Sequence, residues 1–291
     1  MLAVDVQPDL VSLITLYSSH EAIHLRIDHS TLSLITGASS GIGAAAAKAI
    51  ARKGGRVLLL ARTPSALNEV EHEIRSSGGE AHAYAVDLAN AAAVDAVAQK
   101  IKTEMGTPDV IVNSAGIGRW LFAEETDPGE ALAMMGAPYF AAFHITRAFL
   151  PEMLKRNRGH IVNINSPAAR LPWPGSTAYS AARWAMKGFT EALRADLWQT
   201  NIKVTSIVAG KVDTPYFDHN PGTLERSPTI ARIIPTLTAD QVAHAIIDGI
   251  EHHRREVIIP FMLRVFYLAH SLAPRVTERL VWGTGYKRMN P

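Results

Sequence analysis

Apolar residues along this chain gather into short unbroken runs separated by longer stretches in which they recur every three or four positions. The runs open at Leu32 and continue as Arg56 to Leu60, Ala81 to Val86, Val110 to Val112, His160 to Asn163, Lys203 to Val208 and Glu256 to Ile259. Arg56 to Leu60 is the kind of continuous run that a strand covered on both faces requires, and the others read as further strands. The intervening stretches read as helices with recognisable ends. Ala44 to Arg52 is alanine-rich, Thr63-Pro64 opens a helix that Gly78-Gly79 closes, and Asn90 caps one running to about Glu104. A long helical region spans Pro128 to Arg156, another Ala178 to Gln199, and Thr238-Ala-Asp-Gln241 is a capping box opening a helix to about His253. Strand and helix alternating at this spacing predict the α/β class, a doubly wound parallel sheet of about seven strands in a single domain. Residues 1–30 read as an N-terminal extension, 31–260 as the domain and 261–291 as an amphipathic C-terminal extension.

Composition narrows the function classes. The chain has 291 residues, 47% of them hydrophobic, with 29 basic residues nearly matched by 27 acidic ones. That balance and the lack of a basic run argue against nucleic acid as a partner. The absence of cysteine excludes thiol catalysis and thiolate metal sites and fits a reducing, cytoplasmic setting. No metal site is expected: His252-His253 has no partner ligand pattern and reads as a solvated helix end. Val11 to Tyr17 lacks the basic flank of a secretory signal, and Val257 to Leu272 is too interrupted by Pro260, Arg264 and His270 to cross a bilayer.

Chemistry concentrates at strand ends. Leu32 to Gly43 reads as strand, tight turn and helix start, with Gly37, Gly41 and Gly43 permitting a sharp turn and close approach to a ligand. The helix that follows aims free N–H groups and the positive end of its dipole at that ligand, which suits a pyrophosphate. Ser166 follows the fifth strand at the sheet edge where ligands bind in open α/β folds. Tyr179 and Arg183, four residues apart, share a helical face.

Taken together, Thr36-Gly-Ala-Ser-Ser-Gly-Ile-Gly43, Asp87, Asn113-Ser-Ala-Gly116, Ser166, Tyr179 and Val208-Ala-Gly-Lys-Val-Asp-Thr214 resemble, in order and spacing, the short-chain dehydrogenase/reductase family. The resemblance covers roughly Leu32 to Ile259. It implies a Rossmann-type sheet, a nicotinamide cofactor, Tyr179 as general acid or base, and Ser166 holding the substrate carbonyl or hydroxyl. The implied cofactor contacts are Gly37, Ser39, Ser40, Gly41, Ile42, Gly43, Arg62, Asp87, Leu88, Asn113, Ala115, Gly116, Tyr179, Arg183, Gly210, Val212 and Thr214. The end of the second strand carries Arg62 where an acid would bond a ribose 2′-hydroxyl, so NADP(H) is preferred and NAD(H) stays open. The family also suggests dimers or tetramers. The expected substrate is an apolar carbonyl or secondary alcohol, with Trp120, Trp173 and Trp184 as candidate pocket walls.

Three positions depart from the family pattern. Arg183 stands where Tyr-x-x-x-Lys has its lysine. At about 6 Å and an effective dielectric of about 20, its charge still favours a phenolate by roughly 3 kcal/mol, but its planar fork is a poorer proton-relay group than an ammonium. Counting back from Thr146 puts Pro138 at the family's relay asparagine, and Ala209 replaces a proline. Arg183 and Pro138 together motivate an alternative, an NADP(H)-binding protein of this fold with little or no catalysis. The basic and aromatic residues of 261–282 leave a peripheral membrane contact as a further expectation.

Overall fold

The computed structural model describes residues 25–288. Its main sheet has seven parallel strands: β1 (Leu32–Thr36), β2 (Arg56–Ala61), β3 (Ala81–Ala85), β4 (Val110–Asn113), β5 (Gly159–Asn165), β6 (Ile202–Ala209) and β9 (Glu256–Ile259), in the order β3-β2-β1-β4-β5-β6-β9. A two-stranded parallel pair, β7 (Val212–Asp213) and β8 (Leu237–Thr238), sits apart from it. Strand order reverses direction between β1 and β4, and the crevice above those two strand ends is where such a sheet receives ligands.

Successive strand residues feed opposite layers. Ile35, Val57 and Leu59 pack with helices α1 (Gly41–Arg52), α2 (Pro64–Ser76) and α8 (Ala239–Glu251). Leu34, Leu58 and Leu60 pack with α3 (Ala91–Glu104), α5 (Ala141–Lys155) and α6 (Thr177–Asp196). Both faces of the central strands are buried, which is why apolar residues predominate on both sides of them. Two predicted caps form: Asn90 accepts from Ala93 N–H at 3.1 Å, and Thr238 and Gln241 form the reciprocal capping box, whereas Thr63 starts its helix without a side-chain capping bond.

The long helix expected from Pro128 to Arg156 is two helices, α4 (Pro128–Met135) and α5, joined through Gly136–Phe140. Ala137 in that joint is extended at φ −139, ψ 111. The following ring of Pro138 crowds the helical conformation of the residue before it and forces this break. The Ala137 carbonyl accepts instead from Ile117 N–H at 3.2 Å, tying the broken helix to the loop after β4.

At the ends of the chain, residues 1–24 of the expected N-terminal extension and the last three residues lie outside the described residues. Leu25 and Ile27 are buried in the α1–α2–α8 layer. Helices α9 (Phe261–Leu272) and α10 (Pro274–Gly283) follow β9 and return over the sheet edge that carries the crevice.

Candidate active site

The turn after β1 is closed so tightly that only glycine fits at its two ends. A Cβ on Gly43 would lie 2.2 Å from the Gly37 carbonyl oxygen, and one on Gly37, whose φ is +65, would lie 2.8 Å from Ala115 Cα. Thr36 secures the same junction, its hydroxyl accepting from Ser114 N–H (3.0 Å) and Ala115 N–H (3.1 Å). The loops leaving β1 and β4 are thereby locked side by side. Ser40 at the start of α1 makes no capping bond and no acid occupies the first turn, so the helix presents open N–H groups to the cavity in front of it.

That cavity encloses about 1110 Å³. Every site residue expected from the sequence lines it except Asn113. Asn113 is buried behind the wall, donating to Asn163 Oδ1 at 2.8 Å, and Asn163 donates on to Thr190 of α6 at 2.9 Å. It braces β4, β5 and α6 against one another. Of the tryptophans, Trp120 and Trp173 form an edge-to-face pair 4.7 Å apart on the cavity wall beside Tyr179, whereas Trp184 is 48% exposed on α6 and takes no part in it.

Ser166, Tyr179 and Arg183 converge at the inner end. Ser166 follows β5, and its hydroxyl accepts weakly from Ala168 N–H at 3.3 Å, leaving its proton free to donate to a ligand. The neighbouring Asn165 ties this strand end to α6 by donating to the Arg183 carbonyl at 3.2 Å. Tyr179 and Arg183 are both buried in the first turns of α6, with the guanidinium 5.0 Å from the centre of the Tyr179 ring. Gly116 makes room for it, since a Cβ there would meet Arg183 Nη2 at 2.9 Å. The guanidinium donates to the Ile164 carbonyl at 3.4 Å, and its buried Nε has no protein partner among the described residues.

The family profile of the short chain dehydrogenases matches residues 31–223. The chain belongs to that family. Among its relatives are an oxidoreductase of Mycobacterium tuberculosis of uncharacterised role, 36% identical over 253 residues (85% of this chain, 71% of the relative), and a fatty acyl-CoA reductase of Acinetobacter baylyi, 33% identical over 253 residues (86% and 82%). Similar solved structures include a short-chain dehydrogenase/reductase from Burkholderia phymatum in complex with NAD (TM-score 0.76, 26% identity, 91% of this chain and 100% of that one). A metagenomic short-chain oxidoreductase in complex with NADP is also similar (TM-score 0.67, 30% identity, 80% and 97%). This short-chain dehydrogenase is therefore an oxidoreductase built for a nicotinamide dinucleotide and a small-molecule substrate. The closed glycine turn, the open N-terminus of α1 and the unpartnered Arg183 Nε fit such a cofactor.

The irregular stretch from Tyr216 to Pro235, which the sequence marks as a candidate lid, forms part of the roof of the site, and the C-terminal helices add a part that the sequence does not announce. The short helix α7 (Tyr216–His219) brings Tyr216 and Phe217 onto the cavity wall, and α9 and α10 add Leu263, Phe266, Tyr267 and Val281. The stretch from Tyr216 to Pro235 carries no periodicity that would announce this. Its one local sign is Thr214-Pro215, which stops β7 and turns the chain back over the strand ends.

Proposed function

We propose that this short-chain dehydrogenase interconverts a carbonyl and a secondary alcohol on an apolar small molecule with NADP(H). The observation that carries the reading is the convergence of Ser166, Tyr179 and Arg183 on the cavity that also holds the glycine turn, under a largely apolar roof. Gly37, Ser39, Ser40, Gly41, Ile42 and Gly43 hold the pyrophosphate, Arg62 and Ser40 the 2′-phosphate, and Asp87 and Leu88 the adenine side. Ala115, Gly116, Gly210, Val212 and Thr214 border the nicotinamide half. The dinucleotide supplies or accepts the hydride when bound. Ser166 Oγ donates to the substrate oxygen and fixes its position. Tyr179 gives its hydroxyl proton to that oxygen as negative charge builds on it during reduction, and takes it back during oxidation. Arg183 stabilises the resulting phenolate and contacts the ribose. Tyr179→Phe tests the assignment: turnover falls at least about 100-fold while NADPH binding is retained. Unchanged turnover would remove Tyr179 from the mechanism.

The break at Ala137 favours one second reading, binding with little turnover. The Ala137 carbonyl at the break is taken up by Ile117 N–H, and the guanidinium of Arg183 replaces a smaller ammonium.

We also propose that residues 31–260 form the catalytic unit in the cytoplasm. The exposed Phe140, Phe143 and Trp184 suit a homo-oligomer contact. The outward stripe of α9, Phe261, Val265, Leu268 and Leu272, with Arg275 and Arg279 beside it on α10, suits a membrane surface. No described helix is long and apolar enough to cross a membrane.

A further inference from the structure

Tyr216 occupies a position that neither the pyrophosphate turn nor the Ser166–Tyr179 pair explains. Part of its ring faces the cavity, but its hydroxyl turns inward and donates to the Gly118 carbonyl at 2.6 Å. Gly118 is held from its other side as well, its N–H donating to Asn220 Oδ1 at 3.0 Å, while Asn220 donates back to the Tyr216 carbonyl at 2.7 Å. Gly118, at φ +140, lies directly against Tyr179: a Cβ there would meet Tyr179 Cδ2 at 3.2 Å. Helix α7 is thus clipped to a peptide that touches the Tyr179 ring. The clip also packs the Tyr216 side chain against the cluster that contains Tyr179, one helical turn before Arg183.

From this geometry we infer that Tyr216 is a positioning residue for proton transfer, its hydroxyl exchanging its bond to the Gly118 carbonyl for one to the Tyr179 oxygen once Tyr179 has released its proton. No proton changes owner in this step; the Tyr216 O–H reorients and stays a neutral donor. Enclosure of that hydroxyl pushes its ionisation up, and the neighbouring Tyr179 pushes it further, against the opposing charge of Arg183. Tyr216 therefore keeps its proton while Tyr179 cycles. The titratable groups facing it are Tyr179 and Arg183 on α6; Lys211, His219 and Arg232 line the same cavity. In a site where Arg183 and Pro138 stand at the positions of a lysine and an asparagine, Tyr216 supplies a neutral hydroxyl donor near the proton-transferring tyrosine.

The inference rests on the role given to Tyr179 above, so its test has one arm that needs no turnover. In the first arm, Tyr216→Phe is assayed for alcohol oxidation against pH. Loss of a hydrogen bond to a charged oxygen lowers kcat about 10- to 100-fold at neutral pH, moves the rising limb of the kcat profile to higher pH, and leaves KM and NADPH affinity within about threefold. Phe217→Leu, which removes a wall of the same cavity, raises KM without moving the limb. In the second arm, tyrosines labelled at Cζ are titrated by NMR, with the Tyr179 signal assigned by its loss in Tyr179→Phe. That signal titrates at higher pH in Tyr216→Phe than in the parent. An unchanged Tyr179 titration overturns the inference whether or not a substrate has been found. An unmoved kcat limb, or an effect confined to KM, overturns it in the active enzyme.

Discussion

Replacing Arg183 by methionine isolates its charge, because the methionine stem keeps much of the packing beside Tyr179 and removes the guanidinium. The charge centre lies 5.0 Å from the middle of the Tyr179 ring, in a site where both residues are buried. At about 5 Å and an effective dielectric of about 20, a unit charge stabilises a phenolate by about 3 kcal/mol. If that stabilisation is expressed in the transition state, kcat falls about 100-fold. The 3.4 Å bond to the Ile164 carbonyl is long and adds little to this. Steady-state kinetics with saturating NADPH give kcat, and a fluorescence titration gives the cofactor Kd independently. Arg183→Lys retains the charge and stays within about tenfold of the parent. If lysine and methionine lower kcat equally, or methionine leaves it within about threefold, charge at this position is not what supports proton transfer.

Two other predictions follow from particular contacts. Gly43→Ala places a methyl group 2.2 Å from the Gly37 oxygen and 2.7 Å from its carbonyl carbon, both backbone atoms, so the turn must open. NADPH affinity then drops at least about tenfold, and unchanged affinity would refute the cradle. His160 is fully buried, with Nε2 2.8 Å from a Thr205 hydroxyl that itself donates to the Arg254 carbonyl; Nε2 therefore carries the ring proton. Burial, reinforced by His253 and Lys203, holds His160 down to about 3 against an ordinary 6.5. The unfolded chain takes up this proton first, so the contribution is complete above about pH 6.5 and is lost as pH falls towards 3, at up to about 1.4 kcal/mol per unit. Urea unfolding at pH 7 and pH 5 should show His160→Gln losing about 2 kcal/mol less than the parent over that interval; parallel losses would contradict the assignment.

Much of this architecture is legible in the sequence because its causes are local. β2 is covered on both faces and is apolar from Val57 to Ala61. The Thr238 capping box needs only four consecutive residues. The glycine turn is legible because Gly43 is demanded by the Gly37 carbonyl a few residues away and Gly37 by its own positive φ. The helix from Pro128 is shorter than its apolar spacing implies, since that spacing continues through Gly136–Phe140 while the effect of Pro138 falls on the single residue before it. The roof is a different case. Gly118 lies 98 residues from Tyr216 and 102 from Asn220 in sequence, and their meeting depends on a backbone carbonyl and amide that almost any residue type carries. Leu263 and Tyr267 likewise read as one stripe of an amphipathic helix, and only the return of α9 over the strand ends makes them walls of the cavity.

The most direct measurement is a titration of the purified protein with NADPH and with NADH, followed by an oxidation assay of each against a panel of apolar ketones and aldehydes. NADPH binding at least about tenfold tighter than NADH, through the bond between Arg62 and the 2′-phosphate, together with turnover of at least one apolar carbonyl, is the predicted result. Binding of neither dinucleotide would contradict the account at its root, the glycine turn between Gly37 and Gly43.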